Sequence, residues 1–474
     1  MRLPFTLAML AVGGTIAIVA SLDRTPAVGA DRVPAARPPA SRPSSTAHAA
    51  KAAYSASSPH WPQIRTMVTD FRIGYVSNAS QRSAERAWSA GHFDFVMGGD
   101  AREYKSLNSS IRVIPYALDW NVMQPGEQKS KGLGTTYYED MQQWYAAHPQ
   151  YQFEKAFLHI AGSGISEATR LQFVAWGTKR WAINPGDAGA RAYLADRIQR
   201  FTADADGVFF DSHSSGDIGK ALGKTPLAEY PDRKGYQQDM VGYLQSIAKA
   251  MAPKVVMINT SEYDKPFDYA MATAAGAAHL ERMNNPLNAS MVERWRWVDT
   301  LLTHNVLVEL VSLDSWDEAN NDHGSFATFS QGNSASKAER LKMFELASYY
   351  MVVPASPDRL FLDLENAWKV PYDKVWLKAQ EYPVGHPTGP RRVIQTGRDS
   401  SGTGVQVWAR DFEHALILAR PNSSWRDRNY GDGTVVTVPL PNGESLRPLR
   451  GDGTLGAPLT SIALRNSEAA ILVR

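Results

Sequence analysis

Cysteine is absent from this 474-residue chain, which excludes disulfides, cysteine nucleophiles and thiolate metal sites and leaves stability to packing. An excess of one charge is lacking too. Lys and Arg total 50 against 48 Asp and Glu, a formal net charge of +2, so no field favours nucleic acid or an anionic membrane. No glycine-rich phosphate turn follows an early strand-like run, which argues against a doubly wound nucleotide-binding sheet. None of the 11 histidines lies three to five residues from another, so a compact zinc-type ligand pair is missing. Gly162-Ser163-Gly164-Ile165-Ser166 lacks the second glycine that would put its serine in register as a nucleophile elbow. No repeat of about 20 to 50 residues points to a solenoid or propeller.

What is present reads as an exported protein with a sizeable core. Hydrophobic residues make up 43% and charged residues 21%, ordinary globular usage. Arg2, an apolar run from Pro4 to Leu22 and the small residues Ala27-Val28-Gly29-Ala30 predict a signal peptide or membrane anchor over residues 1–30. Residues 31–65 are rich in Ala, Pro and Ser and read as a linker.

Short β-rich runs then recur with helical stretches between them, as in a parallel sheet with crossover helices. In chain order the runs are Arg72–Ser77, Phe93–Met97, Ile111–Ala117, Ala156–Ile160, Gly207–Asp211, Val255–Asn259, Ala277–Glu281 and Val306–Val311. Helices are expected over Ala188–Phe201, Gly235–Met251, Met291–Thr303 and Ala335–Tyr350, where apolar residues fall three or four apart. Eight such units predict a (β/α)8 barrel over residues 66–390. From residue 391 to 474 the texture becomes alternating short strands, Gly404–Trp408, Ala415–Ala419 and Ala469–Val473 among them, which predicts a small all-β sandwich.

Barrel active sites sit at the C-terminal ends of the strands, so polar residues that close apolar runs are the candidates. Asp211 closes Gly207-Val208-Phe209-Phe210 and reads either as a catalytic carboxylate or as a cap on the following backbone. Glu281 closes Ala277-Ala278-His279-Leu280 and shares a face with His279; the other reading is a salt bridge to Arg282 or Arg294. Glycosidic bond cleavage needs two carboxyl groups across the bond. Asp211 takes the nucleophile or base role and Glu281 the acid role. Glu309, more simply a buried paired Glu, and Glu262 are the alternative second carboxylates. Tyr75, Asp119, Trp120, Asn184, His213, Asn259 and Trp316 are candidate substrate contacts, through ring faces or hydrogen bonds to hydroxyl groups; each is also explained by core packing or capping. The run Asp211-Ser212-His213-Ser214-Ser215-Gly216-Asp217 invites a metal reading, but the histidine spacing speaks against it, and neither metal nor cofactor is expected.

The stretch from Trp181-Ala182-Ile183-Asn184-Pro185 through Ala192-Tyr193-Leu194-Ala195-Asp196-Arg197 to Asp206-Gly207-Val208-Phe209-Phe210-Asp211 resembles the barrel hydrolases grouped as hypothetical glycosyl hydrolase family 15. More distantly it resembles the endo-α-1,4-polygalactosaminidase group. Val407-Trp408-Ala409-Arg410-Asp411-Phe412 and Ala470-Ile471-Leu472-Val473 extend the resemblance to the terminal β-sandwich of such enzymes. It implies a barrel, an O-glycosyl bond as target and an acidic residue where Asp211 stands. The expectation is an exported glycoside hydrolase whose partner is a carbohydrate. A carbohydrate-binding barrel without catalysis and a metal-dependent polysaccharide deacetylase are the alternatives.

Overall fold

The computed structural model describes residues 64–70, 76–127, 135–175, 177–260, 265–281, 290–311, 333–364, 372, 376–398, 402, 404–421 and 435–474. The order is β1 (Met67–Thr69), α1 (Ala79–His92), β2 (Phe95–Met97), α2 (Ala101–Leu107), β3 (Arg112–Ile114), β4 (Tyr116–Met123), β5 (Thr135–Tyr137), α3 (Tyr138–Ala147), β6 (Gln172–Ala175), β7 (Thr178–Ala182), α4 (Ala188–Phe201) and β8 (Gly207–Phe210). Next come α5 (Ser215–Leu222), α6 (Arg233–Met251), β9 (Val255–Asn259), α7 (Lys265–Ala275), β10 (Gly276–Leu280), α8 (Met291–Thr303), β11 (Leu307–Val311), α9 (Asn333–Val352) and β12 (Leu360–Asp363).

Parallel pairing runs β1-β2-β3 in one sheet and β8-β9-β10-β11-β12 in another. Two seams join them. β3 continues through Pro115 into β4, whose Tyr116 and Ala117 pair with Phe209 and Phe210 of β8, and the Asp206 N–H donates to Val113 O at 2.9 Å. At the other edge Thr66 bridges Leu362 in parallel, with Leu362 N–H donating to Arg65 O at 2.9 Å. Each strand is apolar on both faces, as buried parallel strands are. One face supplies Met67, Phe95, Met97, Ile114, Phe209, Met257, Ala277, Leu307 and Phe361, a cluster fed by all eight strands of this path. The other face, including Val208, Ile258, Leu280 and Val308, packs in the main core with helix residues such as Leu194, Leu244 and Trp295.

Local sequence explains the helices that cover the strands. Ser290 and Glu293 form a reciprocal capping box at the start of α8, and Met291, Trp295 and Val298 then recur on one buried stripe. Gly207 opens β8 because a Cβ there would collide with the Val255 carbonyl of β9. Gly207→Ala is therefore expected to destabilise by about 1–3 kcal/mol or more, read as a lowered thermal midpoint; an unchanged midpoint would mean that β8 can back away from β9.

Beyond residue 390, β13 (Arg392–Arg398), β14 (Gly404–Asp411), β15 (Ala415–Arg420), β16 (Val436–Pro439), β17 (Arg447–Pro448), β18 (Ser461–Leu464) and β19 (Glu468–Val473) follow. They form a five-stranded antiparallel sheet, β13-β14-β15-β19-β17, and a two-stranded one, β16-β18. Val407, Leu416, Leu418 and Leu472 of the first share an apolar cluster with Val438 and Leu464 of the second. The first sheet's other face, with Ile417 and Ile471, joins the main core beside Phe344 of α9.

Several sequence expectations need correction. Residues 156–160 are not a strand of the parallel path: Phe153–Ala156 is a 3-10 turn, and Phe157, His159 and Ile160 make isolated antiparallel bridges. The path instead takes β12, which the sequence reading overlooked, as its last strand. Ile111–Ala117 is broken at Pro115, which has no N–H for the ladder, and resumes as β4, running on to Met123. The strand expected at Arg72–Ser77 falls largely outside the described residues; β1 lies earlier, at Met67–Thr69. Ile64, placed in the linker by composition, is buried in the main core.

Candidate functional site

One polar layer lies directly above the apolar cluster. Residues two apart on a strand share a face, so Phe209, Met257, Ala277 and Leu307 are followed on the same side by Asp211, Asn259, His279 and Glu309. Register sets the last three side by side, His279 opposite Asn259 on β9 and opposite Glu309 on β11. Glu281, two residues past His279, stands one step higher. This face of the sheet turns from apolar to titratable within one side-chain step at the C-terminal ends of its strands, the form of a candidate site.

Three donors hold Asp211. The Tyr116 hydroxyl donates to Oδ2 at 2.6 Å, Asn259 Nδ2 to Oδ1 at 2.9 Å, and the Ser212 N–H to Oδ1 at 2.7 Å. Burial, with the charge of Asp211, pushes the Tyr116 phenol well above its ordinary range, so it stays a neutral donor. Ser212 sits at φ 62°, in the left-handed region that a non-glycine residue enters at a cost. Its carbonyl accepts from Trp120 Nε1 at 3.0 Å, which pins the turn that aims Asp211.

Asn259 joins two carboxylates. The same Nδ2 that donates to Asp211 also donates to Glu281 Oε2 at 3.2 Å. Together the two distances cap the Asp211 Oδ1 to Glu281 Oε2 separation at about 6.1 Å. Both acids are half-buried rather than sealed. Arg294, fully enclosed in α8, fixes the Glu281 main chain by donating from Nη1 to its carbonyl oxygen at 2.6 Å.

His279 and Glu309 form a buried pair, with Nδ1 2.5 Å from Oε2. Burial works against the charged imidazole, but the Glu309 charge and hydrogen bond, aided by Glu281 and Asp211, outweigh it and raise His279 above its ordinary value. On the far side of the layer Thr69 Oγ1 donates to Asp363 Oδ2 at 3.1 Å, while the Tyr372 hydroxyl donates to Asp70 Oδ1 at 2.8 Å on the opposite face of β1, within the cluster of Val68 and Tyr104.

Solved structures to which this chain shows similarity include glycoside hydrolases and a glucanotransferase. They include a noncanonic maltogenic α-amylase, AmyB, from Thermotoga neapolitana, at 10% identity and a TM-score of 0.45, covering 87% of this chain and 99% of that one. A GH27 β-L-arabinopyranosidase from Geobacillus stearothermophilus gives 11% and 0.41 over 87% and 97%. A cycloisomaltooligosaccharide glucanotransferase from a Paenibacillus species gives 8% and 0.46 over 87% and 85%. No protein-family model matches the chain, and no curated protein matches it in sequence.

The remaining candidates disperse. Asp119 and Trp120 are corrected from substrate contacts to core: Asp119 is fully enclosed and accepts from the Tyr243 hydroxyl, and Trp120 stacks on Phe173 with ring centres 5.4 Å apart. The physical reason is that β4 does not end at Ala117 but continues to Met123, pairing antiparallel with β7 of the β6–β7 hairpin. Burial raises the Asp119 carboxyl, opposed by His213 and the Tyr243 hydrogen bond. His213 is likewise fully buried, 3.5 Å from Asp119. Asn184 braces a turn, with Oδ1 accepting from the Gly186 N–H at 3.0 Å and from the Tyr230 hydroxyl at 2.9 Å. Tyr75, Trp316 and Glu262 lie outside the described residues. Sequence reasoning missed Tyr116, Asp70 and Asp363. Asp363 carried a usable signal, since Leu360-Phe361-Leu362-Asp363 repeats the apolar-run-then-Asp form of Gly207–Asp211.

Proposed function

We propose that this chain is an exported glycoside hydrolase in which Asp211 is the nucleophile and Glu281 the acid and base, carried by a (β/α)8 barrel at residues 66–390 with a β-sandwich at 391–474. The observation that carries the reading is the Asp211–Asn259–Glu281 bridge, two half-buried carboxyl groups from neighbouring-but-one strands held by a single amide. The eight-strand apolar cluster beneath it supports the barrel, and the N-terminal apolar run supports export.

A retaining pair lies about 5–5.5 Å apart and an inverting pair about 6.5–9.5 Å. With one oxygen pair held within about 6.1 Å, we take the retaining arrangement. In the first step Asp211 bonds to the anomeric carbon as the glycosidic C–O bond breaks, and Glu281 gives its proton to the leaving oxygen. In the second, Glu281 takes a proton from water, whose oxygen bonds to the anomeric carbon while the bond to Asp211 breaks. Proton NMR of the first product released from p-nitrophenyl glycosides checks this: the sugar is expected in the substrate's anomeric configuration, and inversion would remove Asp211 as nucleophile.

A further inference from the structure

Resting on that reading, the structure carries one step more. We propose that His279, fixed by Glu309, is a positioning residue that sits in the same row as Asp211 and one same-face step below Glu281, and thereby sets the pH range over which the pair works. The placement comes from the strands. Asn259, His279 and Glu309 occupy one register row on β9, β10 and β11, and Asn259 is the residue that touches both acids. His279 therefore lies beside the bridge, and one same-face step below Glu281.

The groups around the ring are one-sided. Glu309 faces it from β11 at 2.5 Å, Glu281 follows it on its own strand, and Asp211 follows β8, whose Phe209 ring lies 5.0 Å from the imidazole. Asn259 on β9 and Tyr116 on β4 are neutral. Three carboxylates act on the ring and raise it against burial, while Arg294 of α8 meets the Glu281 carbonyl oxygen two residues along. Because interactions between charges are mutual, a proton on the ring is felt by the carboxylates that face it. Glu309 alone could anchor a neutral imidazole; what makes His279 a device of the site is its coupling to Asp211 in its own row and Glu281 one step above.

Selective isotope labelling of the histidines in the full chain tests the coupling without a substrate, with His279→Gln assigning the resonance. The His279 titration midpoint is expected to fall by about 0.5 pH unit or more in Asp211→Asn and again in Glu281→Gln, as loss of an opposite charge requires, and to fall furthest in Glu309→Gln. If Asp211→Asn and Glu281→Gln leave the midpoint in place while Glu309→Gln lowers it, His279 is a structural partner of Glu309 and the proposal is overturned. Activity gives the second readout: in His279→Gln the acid limb of the kcat/KM profile on an aryl glycoside moves to higher pH, whereas a merely structural defect lowers the whole profile without moving it. Coupled titrations in a protein that cleaves no glycoside would sink the hydrolase reading and leave the charge relation standing.

Discussion

Asp211→Asn is expected to lower kcat/KM on an aryl glycoside by at least about 10³-fold, the scale seen when a member of a covalent catalytic set is removed. The change is nearly isosteric: the amide oxygen in the Oδ1 place still accepts from the Ser212 N–H, and the Tyr116 hydroxyl can turn to accept from the amide NH2, so folding survives while the anion is lost. Glu281→Gln separates the two roles. An acid assists departure of a poor leaving group and adds little for a good one, so with 2,4-dinitrophenyl substrates the first step persists and the covalent sugar–Asp211 ester accumulates, visible as a mass increase of the intact protein. Azide, which needs no base, is expected to release that ester as a glycosyl azide of the substrate's own configuration. Full activity in Asp211→Asn, or an ester mapped to another residue, would refute the assignment. Loss of turnover in Asp211→Asn alone would not separate a nucleophile from a positioning acid, which is why the ester and its site matter.

The parts of this site that could be read in the sequence are those in which chemistry and periodicity coincide. Asp211 and Glu281 each end an apolar run, and the alternation that buries Phe209 and Ala277 on one face carries Asp211 to the same side one step later and Glu281 two steps later. α4 and α8 occupy the expected spans, Ala188–Phe201 and Met291–Thr303, because their caps and apolar spacing agree. What could not be read depends on partners distant in sequence. Ala156–Ile160 has the composition of a strand, but its neighbours turn out to be Ile183, Arg170 and Leu227 in antiparallel bridges. Trp120 is core because β4 extends into a pairing with the β6–β7 hairpin, whose Phe173 stacks on its ring, and nothing near residue 120 announces that neighbour. Tyr116 acquires its role only when β8 brings Asp211 beside it, 95 residues along the chain.

Glu309→Ala is expected to destabilise the protein by about 3–5 kcal/mol, the cost of stranding one member of a buried ion pair. Glu309 is fully enclosed and its Oε2 meets His279 Nδ1 at 2.5 Å, so no water takes its place without opening the sheet. The pH dependence identifies the cause. His279 is raised above its ordinary value in the folded protein, so the stability it contributes is fully present below the unfolded value of about 6.5 and is lost as pH rises through the folded value. Acidification from about pH 8 to 6 therefore stabilises the wild-type pair. In Glu309→Gln the ring loses its main support and burial dominates, which favours the neutral imidazole; its contribution then reverses sign, and acidification through the same window weakens the fold. Urea unfolding of both proteins at the two pH values reads the difference directly. Parallel pH dependences would mean that His279 does not carry the charge that Glu309 is placed to hold, and the stability of this layer would then rest on packing against Phe209 rather than on the pair.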